Sequence, residues 1–282
     1  MERPWRSCGR SPPGNRSYFL TPARLGRVNR GLARSGPLRD TGLRLAPLPG
    51  PAQLQGSTGL DASLALARQA RDAGAAGLLL PPAHFFRYPQ EEIREFYLQF
   101  AAQVGKGAII YLSNTPSVTS EIAVDTALEL LATGCFAGIE EPGGNAESMT
   151  RLQIASRENS FSVLTGDDAS FASARTNGAH GAVSASACAV PELMVALARA
   201  VIAGNAVQAG RLNRMLQEFL AWVDQFPQPV VLKVATGLRG VRLGPLAVPV
   251  APERQRKLDE FREWFAGWLP AVKKFSTMDE NV

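Results

Sequence analysis

Two runs, Phe161-Ser162-Val163-Leu164-Thr165-Gly166-Asp167-Asp168-Ala169 and Gly178-Ala179-His180-Gly181-Ala182-Val183-Ser184, decide how this chain folds. Phe161–Leu164 and Gly181–Ser184 are short apolar runs of strand length, and residues 168–177 between them have the length and spacing of a helix. Asp167-Asp168 most simply caps that helix, whose first N–H groups need acceptors.

The same alternation runs back toward residue 50. Asp61 can cap a helix over 62–73 that ends at Gly74, and Gly77-Leu78-Leu79-Leu80-Pro81 reads as a buried strand. Pro89 with Glu91 and Glu92 opens a helix carrying Ile93, Phe96, Tyr97 and Phe100 on one face, and Ala108-Ile109-Ile110-Tyr111-Leu112 is the next strand. A helix over 122–133 precedes the strand Ala137-Gly138-Ile139-Glu140, and one over 146–157 leads to Phe161. Near-continuous apolar strands alternating with helices imply a parallel sheet buried on both faces. Past residue 190 the pattern is wholly helical, over 191–203, 206–224, 229–238 and 252–268. The reading is therefore an α/β chain: (β/α) barrel units over 51–190 and a C-terminal helical extension over 191–282. A doubly wound open sheet is the competing fold, but no Gly-x-Gly-x-x-Gly turn follows the first strand, so a dinucleotide site has little support.

Residues 1–50 are a different material, with ten Arg, seven Pro and seven Gly against two acidic residues. They show neither helical nor strand periodicity, and the expectation is a disordered or mis-specified segment with an incomplete or irregular barrel at that end. Neither a secretory signal nor a presequence helix fits them. The net charge of +5 over 282 residues sits in this segment, and the remainder is mildly acidic without a basic, aromatic-lined face, so a nucleic-acid partner is not expected. No apolar stretch reaches the roughly 20 residues of a membrane span. Cys8, Cys135 and Cys188 with His84 and His180 form no zinc-ligand spacing, so a metal is not expected and a reducing, cytoplasmic setting is the default.

Four blocks in order resemble the dihydrodipicolinate synthase and N-acetylneuraminate lyase family of class I aldolases. Leu164–Ala169 and Gly178–Ser184 are similar to its L-S-G-D-D-A and G-x-x-G-V-I-S blocks. Ala73–Pro82 resembles A-G-A-D-G-x-L-x-x-P-P, and Gly138-Ile139-Glu140-Glu141-Pro142-Gly143-Gly144-Asn145 resembles G-I-K-E-x-x-G-N. The resemblance spans roughly 53–250 and implies an eight-stranded TIM barrel, a site at the C-terminal ends of its strands, no organic cofactor, and a homo-oligomer, usually a tetramer.

It also implies a chemistry in which a lysine on the sixth family strand attacks the ketone of a pyruvate-type 2-oxo acid. The resulting protonated imine then serves as electron sink for carbon–carbon or carbon–oxygen lyase steps. Glu140 stands at that lysine position, and a carboxylate cannot form an imine. Ser113 stands at the position of the family's proton-relaying tyrosine, while Tyr111 lies two residues earlier on the same strand face, about 6–7 Å away. Val118 stands where some members carry a carboxylate-binding arginine, and the family's G-T-T-G-E turn, expected before residue 50, is absent. Glu140 and Ser113 are thus the catalytic positions, and Asn114, Thr119 and Val183 are substrate-binding positions by resemblance.

Strand alternation turns only one of Glu140 and Glu141 inward; either carboxylate reads as a base or metal ligand, or as a buried acid that must find partners. Lys233 is the one lysine placed for a relocated nucleophile, His84 reads as a packed loop histidine, and Phe219, Trp222, Phe226, Phe261, Trp264, Phe265 and Trp268 read as core or subunit interface. The expectation is a family member whose activity is lost or altered, with a non-catalytic ligand-binding or assembly subunit, or a truncated or frameshifted product, as the alternative.

Overall fold

Seven strands, β1 (Tyr18–Leu20), β2 (Ala52–Gln53), β3 (Leu78–Leu80), β4 (Ile110–Ser113), β5 (Gly138–Glu141), β6 (Ser162–Thr165) and β7 (Gly181–Val183), form one sheet in the computed structural model. Its described residues are 18–20, 52–53, 59–241 and 243–275. Every pairing is parallel, in the order β1-β7-β6-β5-β4-β3-β2. A doubly wound sheet reverses direction at a switch point. Here the order steps by one strand at a time and the first strand comes back beside the last, which is the circular order of a barrel. Among the described residues no ladder joins β1 to β2. Apart from β1, the expectation for residues 1–50 falls outside the described residues.

The chain divides into two compact units, Met1–Asp167 with Asn177–Val183, and Asp168–Thr176 with Ser184–Val282. In the first, helices α1 (Leu60–Asp72), α2 (Gln90–Gln103), α3 (Val124–Ala132) and α4 (Ala146–Glu158) alternate with the strands. Leu78, Leu80, Ile110, Leu112, Ile139 and Val163 point outward and pack on Leu64, Ile93, Tyr97, Phe100, Leu130 and Leu152 of these helices. Leu79, Tyr111, Leu164 and Val183, the intervening positions, cluster on the inner face. Burial of both faces is why the strands read as unbroken apolar runs, and each fully buried leucine or isoleucine contributes roughly 1.5–3 kcal/mol of transfer free energy.

Local chemistry sets the helix starts. Asn145 accepts from the N–H groups of Glu147 at 3.0 Å and Ser148 at 3.2 Å and so opens α4. Extended Gly59, not Asp61, holds the cap position of α1, and Asp61 lies in the first turn where its charge favours the helix dipole. The last strand stops at Val183, because Ser184 Oγ accepts the Ala187 N–H at 3.0 Å and starts a 3-10 turn over Ser186–Cys188.

The second unit is helical: α5 (Phe171–Thr176), α6 (Pro191–Ile202), α7 (Ala206–Val223), α8 (Val230–Leu238) and α9 (Pro252–Lys273). Asp168 Oδ2 accepts the Ser186 N–H at 2.8 Å, which ties the start of this unit to the 3-10 turn. Phe219 and Trp222 of α7 meet Phe261, Trp264, Phe265 and Trp268 of α9 at ring-centroid distances of 5.8–6.0 Å, so these aromatics pack within the unit. Buried Leu269 and Val272 carry α9 past Pro270, beyond the end expected at 268. Glu192 and Arg239 pair at 2.5 Å, largely shielded from solvent.

One inner-face position tests this packing. A Cβ at Gly138 would lie 2.1 Å from the Ser162 carbonyl oxygen and 2.9 Å from the Tyr111 ring, and the backbone oxygen cannot step aside. Gly138→Ala is expected to cost about 2–4 kcal/mol, whereas Gly144→Ala, with nothing within 4 Å of its Cβ, stays within about 0.5 kcal/mol. Urea midpoints of the two variants check this.

Candidate functional site

Ser113 closes β4, and its strand register places it directly beside Glu140 of β5. Ser113 Oγ donates to Glu140 Oε2 at 2.5 Å, a separation typical of a hydroxyl bonded to a charged carboxylate. Both side chains are buried, Glu140 at 7% exposure. Glu140 Oε1 lies against the turn after β6, where a Cβ on Gly166 would come within 2.8 Å of it. Loss of water pushes the Glu140 carboxyl up from 4.5 to about 7, the Ser113 hydrogen bond partly opposing and the Glu141 charge adding to the rise.

Glu141 takes the other side of the strand, as alternation requires. Asn114 Nδ2 donates to Glu141 Oε2 at 2.9 Å and to the Ile122 carbonyl at 3.3 Å, and Asn114 Oδ1 accepts the Ile122 N–H at 3.0 Å. Burial raises the Glu141 carboxyl, the Asn114 hydrogen bond lowers it, the Glu121 charge raises it and the Gly143 N–H lowers it. Asn114 therefore braces Glu141 and the loop 115–122.

Thr119 lies in that loop, its Oγ1 donating to the carbonyls of Thr115 at 3.0 Å and Ser120 at 3.1 Å, while its backbone forms an antiparallel bridge with His84. Tyr88 N–H donates to Ser120 Oγ at 2.8 Å and Arg87 Nη1 to the Pro116 carbonyl at 3.2 Å, so the loops after β3 and β4 are laced together. His84 is a half-buried member of this lacing. Val183 belongs to the apolar inner face with Leu79, Tyr111 and Leu164.

Of the five positions expected from sequence, Ser113 and Glu140 meet directly, Val183 shares their inner face, and Asn114 and Thr119 serve the loop that flanks it. The sequence reading treated Tyr97 only as an apolar helix position. Its hydroxyl donates to the Leu80 carbonyl at 2.8 Å, and burial first, with the Glu140 charge adding, holds it well above the ordinary phenol range, so it stays protonated. Gly138 and Gly166 were also passed over, although both stand inside the quoted blocks.

Among the described residues no group of three or more His, Cys, Asp or Glu side chains is arranged to hold a metal, and no helix is long and apolar enough to cross a membrane. Lys233 Nζ donates to the Pro245 carbonyl at 2.7 Å, and Lys106, Lys257, Lys273 and Lys274 are exposed.

Residues 53–266 match the Dihydrodipicolinate synthetase family. The 4-hydroxy-tetrahydrodipicolinate synthase of Natronomonas pharaonis is 30% identical over 212 residues, covering 75% of this chain and 71% of its own. That of Chlorobium limicola is 33% identical over 214 residues, covering 73% and 70%. The solved 4-hydroxy-tetrahydrodipicolinate synthase of Methylacidiphilum fumariolicum SolV superposes with a TM-score of 0.68 at 27% identity, over 80% of this chain and 75% of that one. A Ruminococcus gnavus sialic acid aldolase mutated at its catalytic lysine, at 19% identity, shares the fold with a TM-score of 0.71 over 80% and 75% of the two chains. With its blocks, its strand order and three quarters of its length in agreement, this chain belongs to the dihydrodipicolinate synthetase family, a lyase family of class I aldolases built on the TIM barrel.

Proposed function

We propose that the protein is a family member without imine chemistry: its barrel does not turn over pyruvate-type 2-oxo acids covalently, and it serves as a non-catalytic ligand-binding subunit. The observation that carries this reading is Glu140, buried and bonded to Ser113 rather than to an amine, at the position that the sequence resemblance aligns with the family's lysine. An attacking lysine needs a free electron pair near a carbonyl, and a carboxyl there supplies only a proton or a charge. The departures at Ser113 and Val118 point the same way. Lys233, the sequence candidate for a relocated nucleophile, has its amine engaged by a backbone carbonyl on α8's side of the chain.

In this reading the protein works in the cytoplasm, without a cofactor, as an assembly of identical subunits. Support for self-association comes from Phe85, Phe86 and Val118, exposed at 81%, 64% and 65% on the two laced loops. Phe85 also holds φ at 87°, a left-handed conformation that costs a bulky side chain energy and keeps the ring presented.

Three measurements test the proposal. Incubation with pyruvate and borohydride should leave the mass of the intact protein unchanged, and a reduced adduct on any lysine overturns the reading. Sedimentation of the wild type should give an oligomer that Phe85→Asp weakens at least tenfold in dissociation constant; an unaltered assembly refutes the assignment of that patch.

The third is stability against pH. Because the folded Glu140 carboxyl titrates near 7 and the unfolded one near 4.5, the folded chain holds a proton in that interval that the unfolded chain has released. Stability therefore falls as pH rises from about 4.5 through about 7, by roughly 3 kcal/mol from this group, and the penalty is complete above it. Glu140→Gln should flatten this slope and leave the variant more stable than wild type at pH 8, read from urea unfolding at pH 5 and pH 8.

A further inference from the structure

The aromatic seam between α7 and α9 ends at Trp268, which stacks on Phe219 with ring centroids 6.0 Å apart. Beyond it a cavity of about 580 Å³ lies between the first half of α7 and the end of α9, within the size range of small-molecule sites. Met215 and Phe275, both half-buried, give it an apolar wall. Arg211 and Lys274 bring two positive charges to the same lining, and among the described residues no acidic side chain shares it. Among those residues Arg211 forms no ion pair. Asn205 and Gln208 complete the polar part of the lining: Asn205 Oδ1 accepts the Gln208 N–H at 3.0 Å, which leaves Asn205 Nδ2 as a donor.

We propose that this cavity binds a small organic carboxylate with an aryl body, its carboxylate held by Arg211 and Lys274 and its ring laid against Met215 and Phe275. The site belongs wholly to the helical unit, so it does not rest on the chemistry read at Glu140. A guanidinium fork matches a carboxylate through two parallel N–H···O bonds, and the ammonium and amide donors serve its remaining lone pairs. Thioether and ring surface on the opposite wall favour an aromatic body. A cation is repelled by the two like charges, and a bare inorganic anion leaves the apolar wall unfilled.

The test uses the full chain and 2-naphthoate, followed by calorimetry and by the 13C shift of the labelled Met215 methyl. 2-Naphthoate should bind saturably at pH 8 and move the Met215 methyl resonance. 2-Naphthamide, the uncharged isostere, should bind at least about tenfold more weakly. Arg211→Gln should lose about fivefold in affinity, and its combination with Lys274→Gln at least about twentyfold, the scale of exposed charge contacts. Both residues are exposed, so these variants should melt with the wild type. Arg214→Gln removes the same charge from α7 outside the cavity lining and should change affinity less than about twofold. Absent saturation, an unmoved Met215 methyl, equal binding of the amide, or an equal loss in Arg214→Gln each overturns the proposal. A lysine adduct after borohydride would instead strike the preceding reading, so the two failures are told apart.

Discussion

A parallel strand in this barrel is covered on both faces, and that single constraint governs which residues it can carry. A position on β3 to β7 must be apolar, absent as a side chain, or polar with a partner in reach. Leu78 to Leu80 satisfy it by being apolar on either side, and Gly138 satisfies it by yielding its space to the Tyr111 ring. Glu140 satisfies it through Ser113 and through its proton. The candidate site is thus the place where the rule is met at greatest expense, which is where function is to be sought.

Much of the fold was legible for the same reason. Strands buried twice leave unbroken apolar runs, and helices between them leave a 3.6 period, so the alternation from Leu78 to Val183 and the helices that follow were readable to within a few residues. The misplaced details arose from side chains acting on the backbone. Ser184 ends β7 by capping the 3-10 turn, Gly59 displaces Asp61 as the cap of α1, and buried Leu269 and Val272 hold α9 together across Pro270. None of these has a signature in periodicity.

The site was legible in its members but not in its bonds. Alternation alone separates Glu140 from Glu141, and the structure gives each its own partner, Ser113 on one side and Asn114 on the other. That Ser113 reaches Glu140 depends on the register between β4 and β5, in which Ser113 lies opposite Glu140 and Tyr111 opposite Gly138. A shift of one residue would turn Ser113 to the helices, and no reading of either strand by itself fixes that offset. Tyr97 was similarly hidden, since its place on an apolar helix face gives no sign that its hydroxyl spans to the Leu80 carbonyl.

Ser113 and Glu140 depend on one another through the pairing of β4 with β5. A buried carboxyl on β5 needs a donor, and the hydroxyl at the end of β4 supplies it. Ser113 is short enough to bond Glu140 at 2.5 Å within the strand pair, while the larger ring of Tyr111 fills the layer below, over the vacancy at Gly138. The serine hydroxyl satisfies one oxygen of the buried acid, and the cost of leaving that oxygen without a donor is what keeps the pair together.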